Sequence, residues 1–292
     1  MAGMVPEDVY ELTGAGDPRL SPGGERIAYS VWRIDRGENA YRSAVWIAPT
    51  DGRAPPERFT SGETRDGSAR WSPDGETLAF VSSRVEDHPQ LFAMPTRGGE
   101  PRKLTDRKDG VSDPEWSPDG ERIVFTSRCP GPAEEEEDER KRPPRRLTRL
   151  QYKLDNEGWL AGRRQHLFTV RANGSGQPVQ LTDGDFDDGG PAWSPDGTRI
   201  AFSSARHQDW DIVPASDIYV VDADGGEPVR LTSTDGSCDL PAWSPDGTRI
   251  AYAYAPGIFD DPHHSQIAVV DVATGTRRIL TAALDRTCNP YP

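Results

Sequence analysis

Hydrolysis of the α/β-hydrolase type needs a serine in the pentapeptide Gly-x-Ser-x-Gly, where a sharp turn exposes the hydroxyl. No such pentapeptide occurs in the 292 residues. The nearest approach is Asn173-Gly174-Ser175-Gly176, whose composition predicts a hairpin turn. Without the serine turn, the histidines have no nucleophile to activate, so the sequence predicts no catalytic residue.

Metal binding would have to use the five histidines, which are His88, His166, His207, His263 and His264. The densest clusters are residues 207–211 and 260–264. A metal ion needs three or four converging ligands, and these spacings match no familiar zinc or calcium pattern. No phosphate loop or dinucleotide fingerprint is present either. We therefore predict no metal site and no cofactor.

The strongest signal is an internal repeat. Trp-Ser-Pro-Asp-Gly occurs at residues 71–75, 116–120, 193–197 and 243–247, with a degenerate copy at 20–24. The first residues of successive copies are 51, 45, 77 and 50 apart. A unit of roughly 40 to 50 residues is the length of a four-stranded propeller blade. The sequence predicts an all-β protein, a β-propeller with about five blades present and an incomplete ring.

The repeat also predicts the domain organisation. We expect an N-terminal segment at 1–16 and a propeller at 17–292. The predicted blades are 17–60, 69–105, 113–182 with an insertion at 130–163, 191–232 and 241–281, and residues 282–292 are predicted to begin a missing blade. In a propeller cut open in this way, the apolar faces of the first and fifth blades would face water.

The motif itself is interpreted as architectural. Proline presets the backbone of a turn, aspartate tolerates the next position, and glycine accepts the left-handed conformation. Tryptophan is a large apolar filler between blades. We therefore do not interpret the motif aspartates as catalytic; they are Asp74, Asp119, Asp196 and Asp246.

The insertion in the third repeat has two parts. Residues 134–138 are acidic and residues 140–142 basic, a composition typical of a solvated, mobile loop. The alternative interpretation is a flap that reaches toward a partner domain. Residues 150–159 contain aromatic and apolar side chains, so we expect that part to be ordered.

Charge and cysteine content bound the partners and the compartment. A formal net charge of −14 opposes binding to a phosphate backbone, so we expect no nucleic acid partner. No run of 18 apolar residues and no signal peptide are present, so we expect no membrane association. Cys129, Cys238 and Cys288 form neither a disulfide pattern nor a zinc knuckle. We predict a cytoplasmic protein.

Several segments outside the repeat resemble one known family. They are Pro6 to Leu12, Asp17 to Pro22, Arg149 to Asp155, Arg164 to Phe168 and Leu284 to Tyr291. In this order they are similar to the N-terminal propeller of the prolyl oligopeptidase family, in its acylaminoacyl-peptidase-like branch. The resemblance implies a propeller that caps an α/β-hydrolase domain, filters substrates by size and positions peptides for cleavage. This chain ends at Pro292, where that family continues, so the peptidase activity is not carried over.

Two hypotheses follow for the function. The first is the non-catalytic propeller of a serine peptidase whose α/β-hydrolase domain and peptide substrates are its partners. The second is a stand-alone TolB-like propeller that binds proteins or peptides. The inserted segments and the missing signal peptide favour the first hypothesis. The DNA downstream of the Pro292 codon distinguishes the two, because only the first hypothesis predicts an in-frame Gly-x-Ser-x-Gly.

Overall fold

The structure is a computed structural model that describes residues 3, 5–85, 88–131, 140–142, 144, 147–155, 157–160, 162–257 and 264–288. Apart from a short 3-10 helix at Pro6–Glu11, the regular structure in these ranges consists of β-strands. Within them, no helix is long and apolar enough to cross a membrane. The all-β class predicted from the sequence is confirmed.

The described residues form five four-stranded sheets. Sheet 1 contains β1 (Thr13–Leu20), β2 (Arg26–Asp35), β3 (Ala40–Pro49) and β4 (Glu57–Arg58). Sheet 2 contains β5 (Asp66–Trp71), β6 (Thr77–Ser82), β7 (Gln90–Pro95) and β8 (Arg102–Lys103). In both sheets neighbouring strands are consecutive in the chain and pair antiparallel, as expected for hairpin-linked repeats.

The remaining strands repeat this order. Sheet 3 contains β9 (Ser112–Trp116), β10 (Arg122–Arg128), β13 (Gln165–Arg171) and β14 (Val179–Gln180). Sheet 4 contains β15 (Asp188–Trp193), β16 (Arg199–Ser204), β17 (Asp217–Asp222) and β18 (Val229–Arg230). Sheet 5 contains β19 (Gly236–Trp243), β20 (Arg249–Pro256), β21 (Gln266–Asp271) and β22 (Arg277–Ile279). A separate hairpin, β11 (Lys153–Leu154) with β12 (Gly158–Trp159), lies in the insertion.

The first strand of each sheet begins a few residues before the predicted range. β1 begins at Thr13, inside the predicted segment 1–16, and β19 begins at Gly236, not at 241. The cause is a bulge that interrupts the alternating pattern in these strands. A residue with positive φ lies three positions before the motif aromatic residue or its equivalent in every copy: Asp17, Ser68, Asp113, Gly190 and Leu240.

The chain divides into two compact units. Unit 1 comprises Met1–Ile123 and Val170–Pro178, and unit 2 comprises Val124–Thr169 and Val179–Pro292. The core of unit 1 lies between sheets 1 and 2, where Val45 contacts the cluster that contains Leu78 and Phe80. In unit 2, one cluster surrounds Phe202 and Trp193, and another joins Ile218 to Tyr252.

Burial distinguishes sheets 2 and 4 from sheets 1 and 5. In β6, β7, β16 and β17 nearly every residue is buried, so both faces of sheets 2 and 4 are covered. In β20 and β21 buried residues alternate with half-buried ones, and β2 has few buried residues. One face of sheet 1 and one face of sheet 5 are therefore incompletely covered. The blade count of the whole propeller and the closure of its ring remain predictions.

Candidate functional site

The motif turns have the same geometry in every full copy. In residues 193–197, the amide of Gly197 donates to the carbonyl of Ser194 at 2.9 Å, and Gly197 has a φ of 70°. The hydroxyl of Ser194 donates to Oδ1 of Asp196 at 2.6 Å and accepts from the amide of Arg199 at 2.9 Å. The predicted turn chemistry is confirmed, and the left-handed position is the one that glycine occupies.

The motif carboxylates are engaged inside their own turns. The hydroxyl of Ser194 lowers the pKa of Asp196 to about 2, and the hydroxyl of Ser244 lowers the pKa of Asp246 to about 2. The corresponding serine hydroxyls also lower the pKa of Asp74 and of Asp119. Hydrogen bonds to the ionised form stabilise the charge. These groups are strongly held anions, whereas a general base working near neutral pH needs a pKa close to 7.

The motif tryptophans link consecutive repeats through their ring nitrogens. Nε1 of Trp71 donates to the carbonyl of Arg19 at 2.9 Å, and Nε1 of Trp243 donates to the carbonyl of Ala192 at 3.0 Å. Trp116 makes the same bond to Arg70 at 3.0 Å. In each case the acceptor directly precedes the motif position of the previous repeat. The tryptophans therefore act as directional hydrogen-bonding links in addition to apolar fillers.

Two sheets carry an equivalent buried ion pair near the start of their first strand. In unit 1, the carboxylate of Asp66 accepts from Nη2 of Arg84 at 3.1 Å. In unit 2, Asp188 accepts from Nη2 of Arg206 at 2.7 Å and lies 3.1 Å from Nδ1 of His166. Both aspartate side chains have no exposed surface. Because a buried carboxylate is stable only when paired, these contacts fix the ends of the strands.

The histidines considered as metal ligands lie in different surroundings. His88 is exposed, His166 is buried against Asp188, and Nε2 of His207 lies 3.1 Å from the carbonyl of Ala215. His264 lies on the surface near Asp285, and His263 is outside the described residues. The described part of the chain contains no group of three or more histidine, cysteine, aspartate or glutamate residues arranged to hold a metal.

The predicted hairpin turn around Ser175 is confirmed. The amide of Gly174 donates to the carbonyl of Arg171 at 2.9 Å, and Gly174 has a φ of 73°. The amide of Ser175 donates to Oδ1 of Asn173 at 2.9 Å. This serine belongs to a β-turn and not to the strand-to-helix turn that exposes a nucleophile.

A groove in unit 1 lies beside the motif turn of the third repeat. It has a volume of about 560 Å³ and is lined by Asp119, Glu121, Arg122, Arg171 and Asn173, among others. Its walls carry both charge signs, and Asp119 is already bound within its own turn. The groove is therefore polar, but the charges of its lining residues do not indicate one class of ligand.

In unit 2, a cluster of charged residues fastens the insertion to the loops beside sheet 4. We call it the anchoring cluster; it consists of Arg149, Arg164, Asp185, Trp210 and Asp211. Arg149 donates to Asp185 at 3.2 Å and to Asp211 at 3.2 Å, and Arg164 donates to Asp185 at 2.8 Å. The amide of Leu150 also donates to Asp211, at 2.9 Å, and lowers the pKa of that carboxyl.

Trp210 contacts both arginines of the anchoring cluster. The guanidinium of Arg164 is 4.3 Å from the ring centre, and that of Arg149 is 5.4 Å away. Nη1 of Arg164 and Nε1 of Trp210 are buried donors without a protein acceptor among the described residues. Buried donors of this kind are normally satisfied by water or a ligand oxygen. The cluster pairs two cations with two anions, so its chemistry is positioning and not proton transfer.

The insertion hairpin exposes its apolar side chains. Leu150 is 69% exposed, Trp159 is 38% exposed, and Ile212 beside Asp211 is 57% exposed. The rings of Tyr152 and Trp159 lie 5.8 Å apart, and the amide of Leu160 donates to the carbonyl of Tyr152 at 2.8 Å.

Sequence reasoning missed the buried ion pairs and the anchoring cluster. A signal for the ion pairs was available, because Asp66 and Asp188 both precede the motif tryptophan by five residues and are both followed by arginine after 18 residues. No repeated spacing marks the anchoring cluster. The expected acidic part of the insertion, 134–138, lies outside the described residues.

The comparisons with known proteins agree with this geometry. A family model described as a TolB beta propeller domain matches residues 7–144. This part of the chain is therefore similar to the TolB-type β-propeller domain. The chain is 36% identical over 225 residues to the uncharacterized peptidase YuxL of Bacillus subtilis, a match that covers 75% of this chain and 34% of the relative. The predicted relationship to peptidases is confirmed.

Solved structures show the same fold. An acylaminoacyl peptidase from Pyrococcus horikoshii matches with a TM-score of 0.74 at 19% identity, covering 96% of this chain and 41% of that chain. TolB from Acinetobacter baumannii matches with a TM-score of 0.55 at 21% identity, covering 93% of this chain and 53% of that chain. The chain spans about one third of the length of the curated relatives it matches.

Proposed function

We propose that this chain is the non-catalytic propeller part of an acylaminoacyl-peptidase-like serine peptidase. In this role it admits peptide substrates and positions them for an α/β-hydrolase domain that these 292 residues do not contain. The observation that carries the proposal is the 36% identity to a peptidase over 225 residues that lack a Gly-x-Ser-x-Gly turn. A propeller that matches one third of a peptidase fits a role in substrate access better than a role in bond cleavage.

The incompletely covered sheet faces support an association with further blades. On sheet 1, Ile27, Tyr29 and Val31 are half-buried, while Ala28 on the opposite face is fully buried. On sheet 5, Ala251 and Ala253 alternate with the buried Ile250, Tyr252 and Tyr254. A propeller removes sheet edges and covers sheet faces by continuing its ring. We propose that additional blades of the same repeat cover both faces.

The gene provides the first test. Sequencing the DNA downstream of the Pro292 codon is expected to show an in-frame continuation with further repeats and then Gly-x-Ser-x-Gly. A stop codon with no hydrolase gene nearby would overturn the proposal.

An activity assay provides the second test. Purified residues 1–292 are expected not to hydrolyse acylated-peptide or aminoacyl chromogenic substrates, because the sequence has no nucleophile turn. Turnover that a serine-directed inhibitor abolishes, in a preparation free of other peptidases, would contradict this expectation.

A stand-alone binding propeller is the second candidate. The observation in its favour is the match to TolB from Acinetobacter baumannii, which covers 93% of this chain. Under this alternative, the isolated chain is a stable monomer with a single cooperative melt. Under the first proposal, the uncovered faces of sheets 1 and 5 make the isolated chain self-associate at micromolar concentration, as measured by sedimentation.

We also infer a reducing compartment, as in the cytoplasm. Cys129, Cys238 and Cys288 form no disulfide in the described part of the chain, and burial raises the pKa of the Cys238 thiol to about 12. A thiol with so high a pKa is unreactive at neutral pH. Free cysteines without a disulfide framework are typical of such a compartment.

A further inference from the structure

Sheet 1 holds a cavity lined by three arginines. The cavity has a volume of about 210 Å³, and its lining includes Arg33, Arg42 and Arg58 together with the apolar side chains of Val31 and Trp46. A single water molecule needs only roughly 10–15 Å³ of such space, so the cavity has room for a ligand of several heavy atoms. All of its lining residues belong to unit 1.

The strand register places two of these arginines directly against each other. Arg33 of β2 lies opposite Arg42 of β3, and like charges in this arrangement are destabilising. The two share the carboxylate of Asp35, which is 4.0 Å from Nη1 of Arg33 and 3.7 Å from Nε of Arg42. Within the described part of the chain, Arg58 forms no ion pair. The cavity therefore carries three guanidinium groups but only one paired carboxylate.

Sheets 2 and 4 show what accompanies an arginine at this position. In sheet 2, Asp66 of the first strand binds Arg84, which lies two residues beyond the register partner of Asp66 in the second strand. In sheet 4, Asp188 binds Arg206 with the same offset. Both carboxylates are buried, and each guanidinium lies within 6 Å of a ring centre of its own sheet. Two repeats therefore contain a buried arginine–carboxylate pair here.

Sheet 1 keeps the arginine but lacks the carboxylate. By the same register, Arg33 corresponds to the paired arginines of sheets 2 and 4, and Ala15 stands at the position of their aspartates. On the third strand, Ala44 stands where sheet 2 has the buried Gln90. Ala44 and Val31, the register partner of Ala15, both line the cavity. The cavity therefore lies where the other two sheets hold a carboxylate.

The cavity lies toward the far end of a long hairpin. β2 and β3 have ten residues each, whereas β6, β7, β16 and β17 have six. By register, those six residues correspond to residues 26–31 of β2, so Arg33 and Arg42 belong to the extension. A neighbouring blade with strands of six residues would cover residues 26–31 and leave both arginines accessible.

We propose that this cavity binds a monocarboxylate with an apolar body of a few carbon atoms. The carboxylate pairs with Arg33 and Arg42, in the place that the buried aspartates occupy in sheets 2 and 4, and the body contacts Val31 and Trp46. Guanidinium groups bind carboxylates through strong, charge-assisted hydrogen bonds. The inference goes beyond the proposed function and does not depend on it, because the first repeat alone forms the cavity.

The experiment measures binding of 4-methylpentanoate to residues 1–292 by saturation-transfer NMR at constant ionic strength. The matched probe, 4-methylpentanamide, has the same body without the charge and is expected to bind at least about tenfold more weakly. R33Q/R42Q is expected to lower the affinity for the acid at least about tenfold and to remove its preference over the amide. A15D is expected to cause a similar loss, because its own carboxylate pairs with Arg33.

A second pair of probes identifies the source of the carboxylate. The tripeptide Gly-Gly-Leu is tested as the free acid and as the amide. Binding of the free tripeptide with an affinity comparable to that of 4-methylpentanoate supports a site for the C-terminal residue of a peptide. Binding of the small acid without the tripeptide supports a site for free acids.

The matched control is R53Q. Arg53 is 88% exposed and pairs with Asp51 outside the cavity, so its substitution removes a charge from the same repeat and is expected to leave binding unchanged. Circular dichroism checks the fold of every variant, and A44Q, which narrows the cavity, replaces A15D if that variant does not fold. Equal affinity for acid and amide, or wild-type affinity in R33Q/R42Q, overturns this proposal. Neither result bears on the proposed function, which the DNA downstream of the Pro292 codon tests separately.

Discussion

The motif turns and the insertion hairpin use charged side chains in opposite ways. In a motif turn, Asp196 binds groups two residues away, and the same contacts recur in every full copy. In the insertion, Arg149 binds residues 36 and 62 positions away. The first arrangement builds the scaffold, and the second places one particular surface on it.

The tryptophans of the two regions differ in their exposure to solvent. Trp71 is 8% exposed and belongs to the core of unit 1, whereas Trp159 is 38% exposed on the insertion hairpin. The two tryptophans therefore have the same chemistry but different roles. One is buried in the core, and the other is partly exposed on the insertion hairpin.

The largest expected effect separates these two tryptophans. Trp71→Ala removes a buried ring and the hydrogen bond to Arg19, so we expect it to destabilise the protein by about 3–5 kcal/mol. Trp159→Ala should change the free energy of unfolding by less than about 1 kcal/mol. Urea denaturation followed by circular dichroism measures both. Equal effects would mean that the hairpin belongs to the folding core.

The motif turns and the insertion hairpin also show which parts of the fold the sequence predicts. The spacing of Trp71, Trp116, Trp193 and Trp243 predicts the repeat, the strand order and the turns, because each interaction there is local. The first strands are harder to predict, because the bulge at positions such as Leu240 shifts the alternation of buried residues.

The sequence does not predict the anchoring cluster, and the reason is physical. Arg149 and Asp211 come together only after sheet 4 and the insertion have folded, and a pair used once leaves no periodic pattern. Arg149 was part of a segment that resembles the peptidase family, but the resemblance did not supply its partners. The buried pair of Asp188 and Arg206 is intermediate, since its spacing recurs in one other repeat.

A smaller effect is expected when the hairpin is released. Arg149→Ala removes two ion pairs and the contact with Trp210, which is worth about 1–2 kcal/mol of local stability for a group one-third exposed. Hydrogen exchange in residues 147–160 should become roughly tenfold faster, while exchange in β16 and β17 is unchanged.

Two controls sharpen this prediction. Arg149→Lys keeps the charge but loses the planar geometry, so exchange should lie between the wild type and the alanine variant. Arg53→Ala removes an ion pair to Asp51 whose arginine is 88% exposed, and it should leave hairpin exchange unchanged. Acceleration throughout unit 2 in Arg149→Ala would show that the hairpin is part of the scaffold.

The smallest effect concerns the motif turns in acid. The hydroxyl of Ser194 and the amide of Thr198 hold the pKa of Asp196 at about 2, below the ordinary value of 3.8. As the pH falls, the unfolded chain therefore takes up the proton before the folded chain does. The contribution of this carboxylate to stability is complete above about pH 4 and disappears between about pH 4 and pH 2.

Titration of the carboxyl carbon of Asp196 by NMR should give a midpoint near 2. Asp196→Asn should remove this part of the acid dependence, and its side chain keeps an acceptor oxygen for Ser194. Asp246, which has the same partners in its own copy, should titrate with it. A midpoint at or above 3.8 for either group would show that the serine hydroxyl does not donate to the carboxylate in solution. The motif turns would then not be held by local hydrogen bonds, and their contrast with the long-range contacts of the insertion hairpin would fail.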